Sequence, residues 1–218
     1  MNEPRARPGD DTASPAAVSF VTTEHFTLQG ARASTIAEST ARATMFLASI
    51  SGGLVALGLV ATASRVGTAF YAFGLVMLPT LTFIGLVTHE RVLQSGIEDY
   101  GYASRIARLR GYYFQYAPEL EPYILSVPVE ERLHIQGLWA GRWQRYRSIA
   151  GMVAVLTAVL AGAAVSLIAT VAGGHSLLTT LAAGLIAALA SGALLMRYHR
   201  AVWGAADSIS PNLSVAND

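Results

Sequence analysis

Long stretches of this chain contain no Asp, Glu, Arg or Lys, and that constrains its fold more than any other feature. Residues 43–64, between Arg42 and Arg65, read ATMFLASISGGLVALGLVATAS, and residues 66–88, between Arg65 and His89, read VGTAFYAFGLVMLPTLTFIGLVT. From Ser148 to Met196 the single titratable side chain is His175. A helix needs about 20 mainly apolar residues to cross a hydrocarbon core of about 30 Å. The first two runs each supply one crossing. The third, divided at Ala172-Gly173-Gly174-His175, supplies two, because paired glycines punctuate helices. The spacing predicts spans at 43–64, 67–88, 148–171 and 177–196. The expected fold class is all-α: a four-transmembrane-helix bundle with a cytosolic helical hairpin between spans 2 and 3.

Composition agrees. Charged residues make up 13% of the 218 positions, about half the ~25% usual in soluble domains. A net charge of +1 argues against nucleic acid as a partner. The absence of cysteine excludes disulfides, thiol catalysis and cysteine-bound zinc. No HExxH-like metal spacing, glycine-rich phosphate loop or GxSxG elbow occurs. The sequence therefore leads us to expect no enzyme activity, no metal and no cofactor. All fifteen cations are arginine, in a background rich in Ala, Gly and Val; this suggests a GC-rich bacterial genome of the actinobacterial kind.

Orientation follows from where the arginines stand. Fourteen of the fifteen lie in the N-terminal segment, in 89–147 and after Met196, against Arg65 alone between spans 1 and 2. By the positive-inside rule the first group is cytosolic. The expected location is the bacterial cell membrane, multi-pass, with N- and C-termini cytosolic. No cleavable leader is expected, since no early apolar run follows the first arginines. The chain divides into a disordered cytosolic tail (1–20), an amphipathic entry helix plus spans 1 and 2 (21–88), the hairpin (89–147), spans 3 and 4 (148–203) and a second tail (204–218). Thr22 or Thr23, ahead of Glu24, is the expected cap of the entry helix, and Glu38 with Arg42 an i,i+4 pair.

Within 89–116, Leu93, Ile97, Tyr100, Ala103, Ile106 or Ala107, and Tyr113 recur at helical spacing, opposite Gln94, Glu98, Tyr102, Arg105, Arg108 and Tyr112. This predicts that span 2 continues as a helix, with a turn at Pro118, Pro122 and Pro128 before a second helix returns to span 3. Arg105, Arg108, Arg110, Tyr112 and Tyr113 form a candidate docking surface for a cytosolic protein or anionic ligand, since guanidinium forks and phenol faces suit phosphates; plain helix packing is the competing explanation.

Trp139, Arg142, Trp143, Arg145, Tyr146 and Arg147 read as anchors at the lipid interface. Gly53, and the ladder Gly184, Ala188 and Gly192, suit close helix packing, within one subunit or between subunits. Pro79 cannot donate to the Leu75 carbonyl and so marks a kink or hinge. Ser49, Ser51, Thr80 and Thr82 are the hydroxyls available to a pore with no intramembrane charge. His89 and His134 are placed where a folded hairpin brings them near one another.

At EHFTLQGARASTIAESTARATMFL and RVLQSGIEDYGYASRIARLRGYYFQYAPEL the chain resembles a family of small actinobacterial multi-span membrane proteins, which brings no activity to transfer. In layout, two spans followed by a cytosolic helix, it is also similar to the SLATT class of bacterial membrane effectors, from which two further spans here depart. The function expected is a non-enzymatic integral membrane protein: homo-oligomeric, channel- or effector-like, with the hairpin used for assembly or sensing. The alternatives are a membrane scaffold or accessory subunit docking a cytosolic partner, and a small-molecule permease. The lipid bilayer and further copies of the chain are the expected partners.

Overall fold

The structure, a computed structural model, describes residues 14–117, 148–173 and 176–209. These form four helices: α1 (Pro15–Ser64), α2 (Thr68–Tyr116), α3 (Ile149–Val171) and α4 (Leu177–Ile209). No strand occurs among the described residues. All four helices are long and apolar enough to cross a membrane.

Each helix boundary has a local cause. At the start of α1 the Ala17 amide donates to Ser14 Oγ at 3.1 Å, and Pro15 occupies the first helical position, where its missing N–H costs nothing. The helix thus begins inside the segment read from composition as a tail. Thr23, one of the two expected caps, instead donates to Ser19 O within the helix at 2.9 Å. The C-terminal end of α2 lies just ahead of Pro118, which disfavours helical geometry at the residue before it. Ser148 caps α3, its side chain accepting from the Gly151 amide at 3.0 Å. After Val171 the chain turns through Gly173 at φ 118°, a conformation glycine adopts freely. The last helix continues through Gly204 to Ile209, six residues into the expected C-terminal tail.

The turn between α1 and α2 is tight. Arg65 and Val66 take φ values of 50° and 57°, and the Val66 and Gly67 amides donate to Ala61 O and Ser64 O, each at 3.0 Å. A β-branched residue in the left-handed region is sterically costly, so this turn holds local strain.

The described residues fall into two compact units. The larger draws on 36–97 and 141–218. Its core joins Ala43 and Phe46 of α1, Leu78 and Leu81 of α2, and Val153, Leu160 and Ala164 of α3. Small residues let the helices approach. A Cβ on Gly85 would overlap Thr157 Oγ1 and Phe46, where α1, α2 and α3 meet. A Cβ on Gly162 would lie 2.6 Å from Gly184 O and 2.7 Å from Ala188 Cβ, where α3 crosses α4.

The large side chains point the other way. Leu59 is 66% exposed, Val76 70%, Phe83 65% and Leu189 65%, all inside charge-free runs. A surface this apolar on every helix is unsuited to water and suited to acyl chains, which are as apolar as leucine.

The smaller unit draws on 1–35 and 98–140. In its described part the beginning of α1 packs against the end of α2, with Leu28, Ala103 and Ile106 buried. Arg32 Nε and Nη2 donate to the two Asp99 carboxylate oxygens at 2.7 and 3.3 Å. His25 meets Tyr113 edge-on at 6.2 Å. The order of these contacts makes the two segments antiparallel. The helical extension of span 2 is therefore present, and its described partner is the N-terminal part of α1. The returning helix expected over 129–147 lies outside the described residues.

Candidate functional site

The four hydroxyls and the proline considered for a pore stand mostly on the outside of the bundle. Ser49, Ser51, Pro79 and Thr80 are exposed and Thr82 is half-buried. Their protons are largely engaged: Ser49 donates to Met45 O at 2.9 Å, Thr80 to Val76 O at 2.7 Å and Thr82 to Leu78 O at 2.8 Å. Neither threonine turns to Leu75 O, the carbonyl that Pro79 leaves without its usual donor, and α2 continues through Pro79 as one helix. A hydroxyl bonded to its own backbone carries little penalty in lipid. The exposed members of this set lie on the outer surface of α1 and α2.

The small residues divide by position. Gly53 lies under Met77 and Leu81 of α2, its virtual Cβ 3.1 Å from Met77 Sδ and 3.0 Å from Leu81 Cδ1. Gly184 and Ala188 face Gly162 and Ser166 of α3, and Gly192 faces Ala158 at 3.5 Å. The ladder is thus occupied within one chain. Gly52 and Gly58 are exposed, with no atom within 4 Å of an added Cβ.

Along the end of α2, the two expected faces separate. Ala103 and Ile106 are buried, whereas Arg105 and Arg108 are exposed. The Arg105 guanidinium carbon sits 6.0 Å from the Tyr102 ring centroid, at the outer limit of a cation–π contact. Arg110, half-buried, is rotated away from this pair. Tyr112 stacks on Tyr116 at 4.6 Å, and Tyr113 sits between Tyr112 and His25. Of the five residues grouped from sequence, two guanidiniums face outward together and both tyrosines take part in ring contacts. The interface residues Trp139, Arg142, Trp143, Arg145, Tyr146 and Arg147 lie outside the described residues, as does His134.

One cluster was not expected. His89, immediately beyond the apolar run of span 2, is 1% exposed. Its Nδ1 lies 3.0 Å from Ala150 O in the first turn of α3, and its ring centroid lies 6.0 Å from that of His199 on α4. Burial holds the His89 pKa below the ordinary histidine value of 6.5, opposed by the hydrogen bond to Ala150 and the charge of Glu90. Two turns further on, Gly96 faces Trp203 of α4, whose Cζ2 would be 3.6 Å from an added Cβ. The sequence signals for this cluster are weak: one histidine closing each of two apolar helices. Among the described residues no group of three or more metal-ligating side chains comes together.

No family model matches the chain, and neither a curated protein nor a solved structure shows detectable similarity to it.

Proposed function

We propose that the protein is a non-enzymatic, multi-pass protein of the bacterial cell membrane that works as a homo-oligomer, channel- or effector-like, with both termini and residues 89–147 in the cytosol. The observation carrying this reading is the outward face of α1. Ser49 and Gly52 stand three residues apart on one exposed side of the helix. Small residues of this kind let a neighbouring helix approach closely, and packing of that sort drives helix association in lipid. If there is a conduction path in this assembly, it runs between subunits, along Ser49, Ser51 and Thr80. The cytosolic assignment rests on the fourteen-to-one arginine distribution, and the effector-like character on the resemblance in layout to the SLATT class.

Mass in detergent tests the assembly. The parent chain elutes as an oligomer, and Gly52→Leu lowers the mass while Gly184→Leu perturbs folding instead. A monomeric parent rejects the proposal. Orientation is checked with single cysteines: Val66→Cys reacts with an impermeant thiol reagent added to intact cells, and Arg108→Cys reacts only after lysis. The opposite pattern inverts the topology. Planar-bilayer recording of the purified oligomer decides between conduction and a silent assembly.

The exposed Arg105 and Arg108 support a second reading, in which the protein is a scaffold whose α2 extension docks an acidic or phosphorylated cytosolic protein. Binding that weakens steeply with salt and fails in Arg105→Ala/Arg108→Ala, in a protein silent in bilayers, favours it.

A further inference from the structure

We propose that His89, His199 and the Ala150 carbonyl form a proton-sensitive latch, which holds α2, α3 and α4 together while the His89 imidazole is neutral and opens when it takes up a proton. The reasoning starts from one hydrogen bond. A carbonyl only accepts, so at 3.0 Å from Ala150 O the His89 Nδ1 must carry the hydrogen. In the neutral ring Nε2 is then the bare nitrogen. That Nε2 is buried and has no hydrogen-bond partner among the described residues. A proton added there makes a donor without an acceptor and a cation without water, and both are costly in a buried site.

The surroundings do not relieve this cost. From α4 the facing titratable group is His199, itself buried and able only to add positive charge. The third helix carries no ionisable side chain, and the end nearest His89 is its N-terminus, the positive pole of its dipole. On α1 the nearest charged residues in sequence to the core residue Ala43 are Arg42 and Glu38, joined to each other at 2.8 Å. Arg91 on α2 and Arg197 and Arg200 on α4 are exposed and positive. Glu90, exposed on α2, is the one acid among the described residues whose charge favours the imidazolium.

The sign follows directly. In the latched state the His89 pKa lies below 6.5, and in an opened, hydrated state it returns to about 6.5. The open state therefore binds more protons in the interval between the two values. Latch stability is complete above pH 6.5 and falls as pH drops through that interval. The inference is independent of the oligomer and of which side His89 faces.

Trp203 provides the readout, since it packs on Gly96 next to the latch. With Trp139→Phe and Trp143→Phe it becomes the only tryptophan of the three. In vesicles of phosphatidylcholine and phosphatidylglycerol, its emission is followed from about pH 8 to about pH 5. The expected result is a red shift with a midpoint below pH 6.5, lost in His89→Asn and retained in His25→Gln. Asparagine keeps a donor for Ala150 O and cannot titrate. No shift in the parent, or the same shift in His89→Asn, overturns the latch. If His89→Asn misfolds, histidine-labelled NMR of the parent decides instead: a His89 midpoint below pH 6.5 supports the latch, and one at or above pH 6.5 overturns it.

Discussion

Gly162→Ala adds one methyl group to this protein where α3 and α4 are closest, and the outcome can be worked from the structure. The new Cβ would stand 2.6 Å from Gly184 O and 2.7 Å from Ala188 Cβ. Carbon contacts settle at about 3.5–4.0 Å, so α4 must withdraw by roughly 1 Å. Overpacking of this kind costs about 1–3 kcal/mol. Gly58→Ala is the matched control, since no atom lies within 4 Å of its added methyl. There, alanine gains about 0.8–1.0 kcal/mol of helix propensity. Gly162→Ala gains the same propensity, so the two substitutions should diverge by the overpacking cost alone, about 1–3 kcal/mol, which is roughly 5-fold to 150-fold in the unfolding equilibrium. Reversible unfolding in mixed micelles at increasing dodecyl sulfate, followed by circular dichroism, measures the difference. Gly162→Ala combined with Ala188→Gly should recover part of the loss, because one of the two obstructing atoms is then gone. Equal stability of Gly162→Ala and Gly58→Ala would refute the close approach of α3 and α4.

Three further outcomes are expected. Val66→Gly should raise the thermal midpoint in detergent by relieving a left-handed β-branched residue, a gain of about 1 kcal/mol; a lower midpoint counts against strain at φ 57°. Asp99→Asn should destabilise the pairing of α1 with α2 by about 1 kcal/mol, the scale for an ion pair a quarter exposed, and hydrogen exchange near Arg32 should quicken; an effect independent of salt removes the ion pair from the explanation. Thr80→Val should leave stability within about 0.5 kcal/mol because its hydroxyl is exposed and bonded only to Val76 O, whereas Thr157→Trp should prevent folding at the tight contact with Gly85; tolerance of the tryptophan contradicts that packing.

Which features could be read in the sequence depended on whether their causes are local. The four apolar helices follow from uninterrupted apolar runs, and lipid imposes that requirement residue by residue. The extension of α2 is equally local, its buried Ala103 and Ile106 and exposed Arg105 and Arg108 following a three- and four-residue period. The start of α1 carried a local signal too, Ser14 before Pro15, but the Pro- and Asp-containing residues around it suggested a tail. The contacts of Arg32 with Asp99 and of His89 with Ala150 span 67 and 61 residues. No periodicity encodes them, since they depend on how the helices are rotated against one another. The same rotation turned the glycine ladder of α4 inward onto α3 and left Ser49 and Thr80 outside, a distinction that spacing alone does not make.

The brevity of the turn at Arg65–Gly67 also bears on how the chain enters a membrane. Three residues between α1 and α2 leave no room for one helix to cross while the other waits in water. The pair must enter as a preformed hairpin with its backbone hydrogen bonds already closed, which is the only state in which a chain crosses hydrocarbon cheaply. A second hairpin of α3 and α4 repeats the operation. In the orientation proposed above, each hairpin begins and ends in the cytosol, and the turns carried across hold one arginine, Arg65, and one histidine, His175. In that same proposed orientation the other fourteen arginines stay on the side where they were synthesised, and insertion carries no charged domain across.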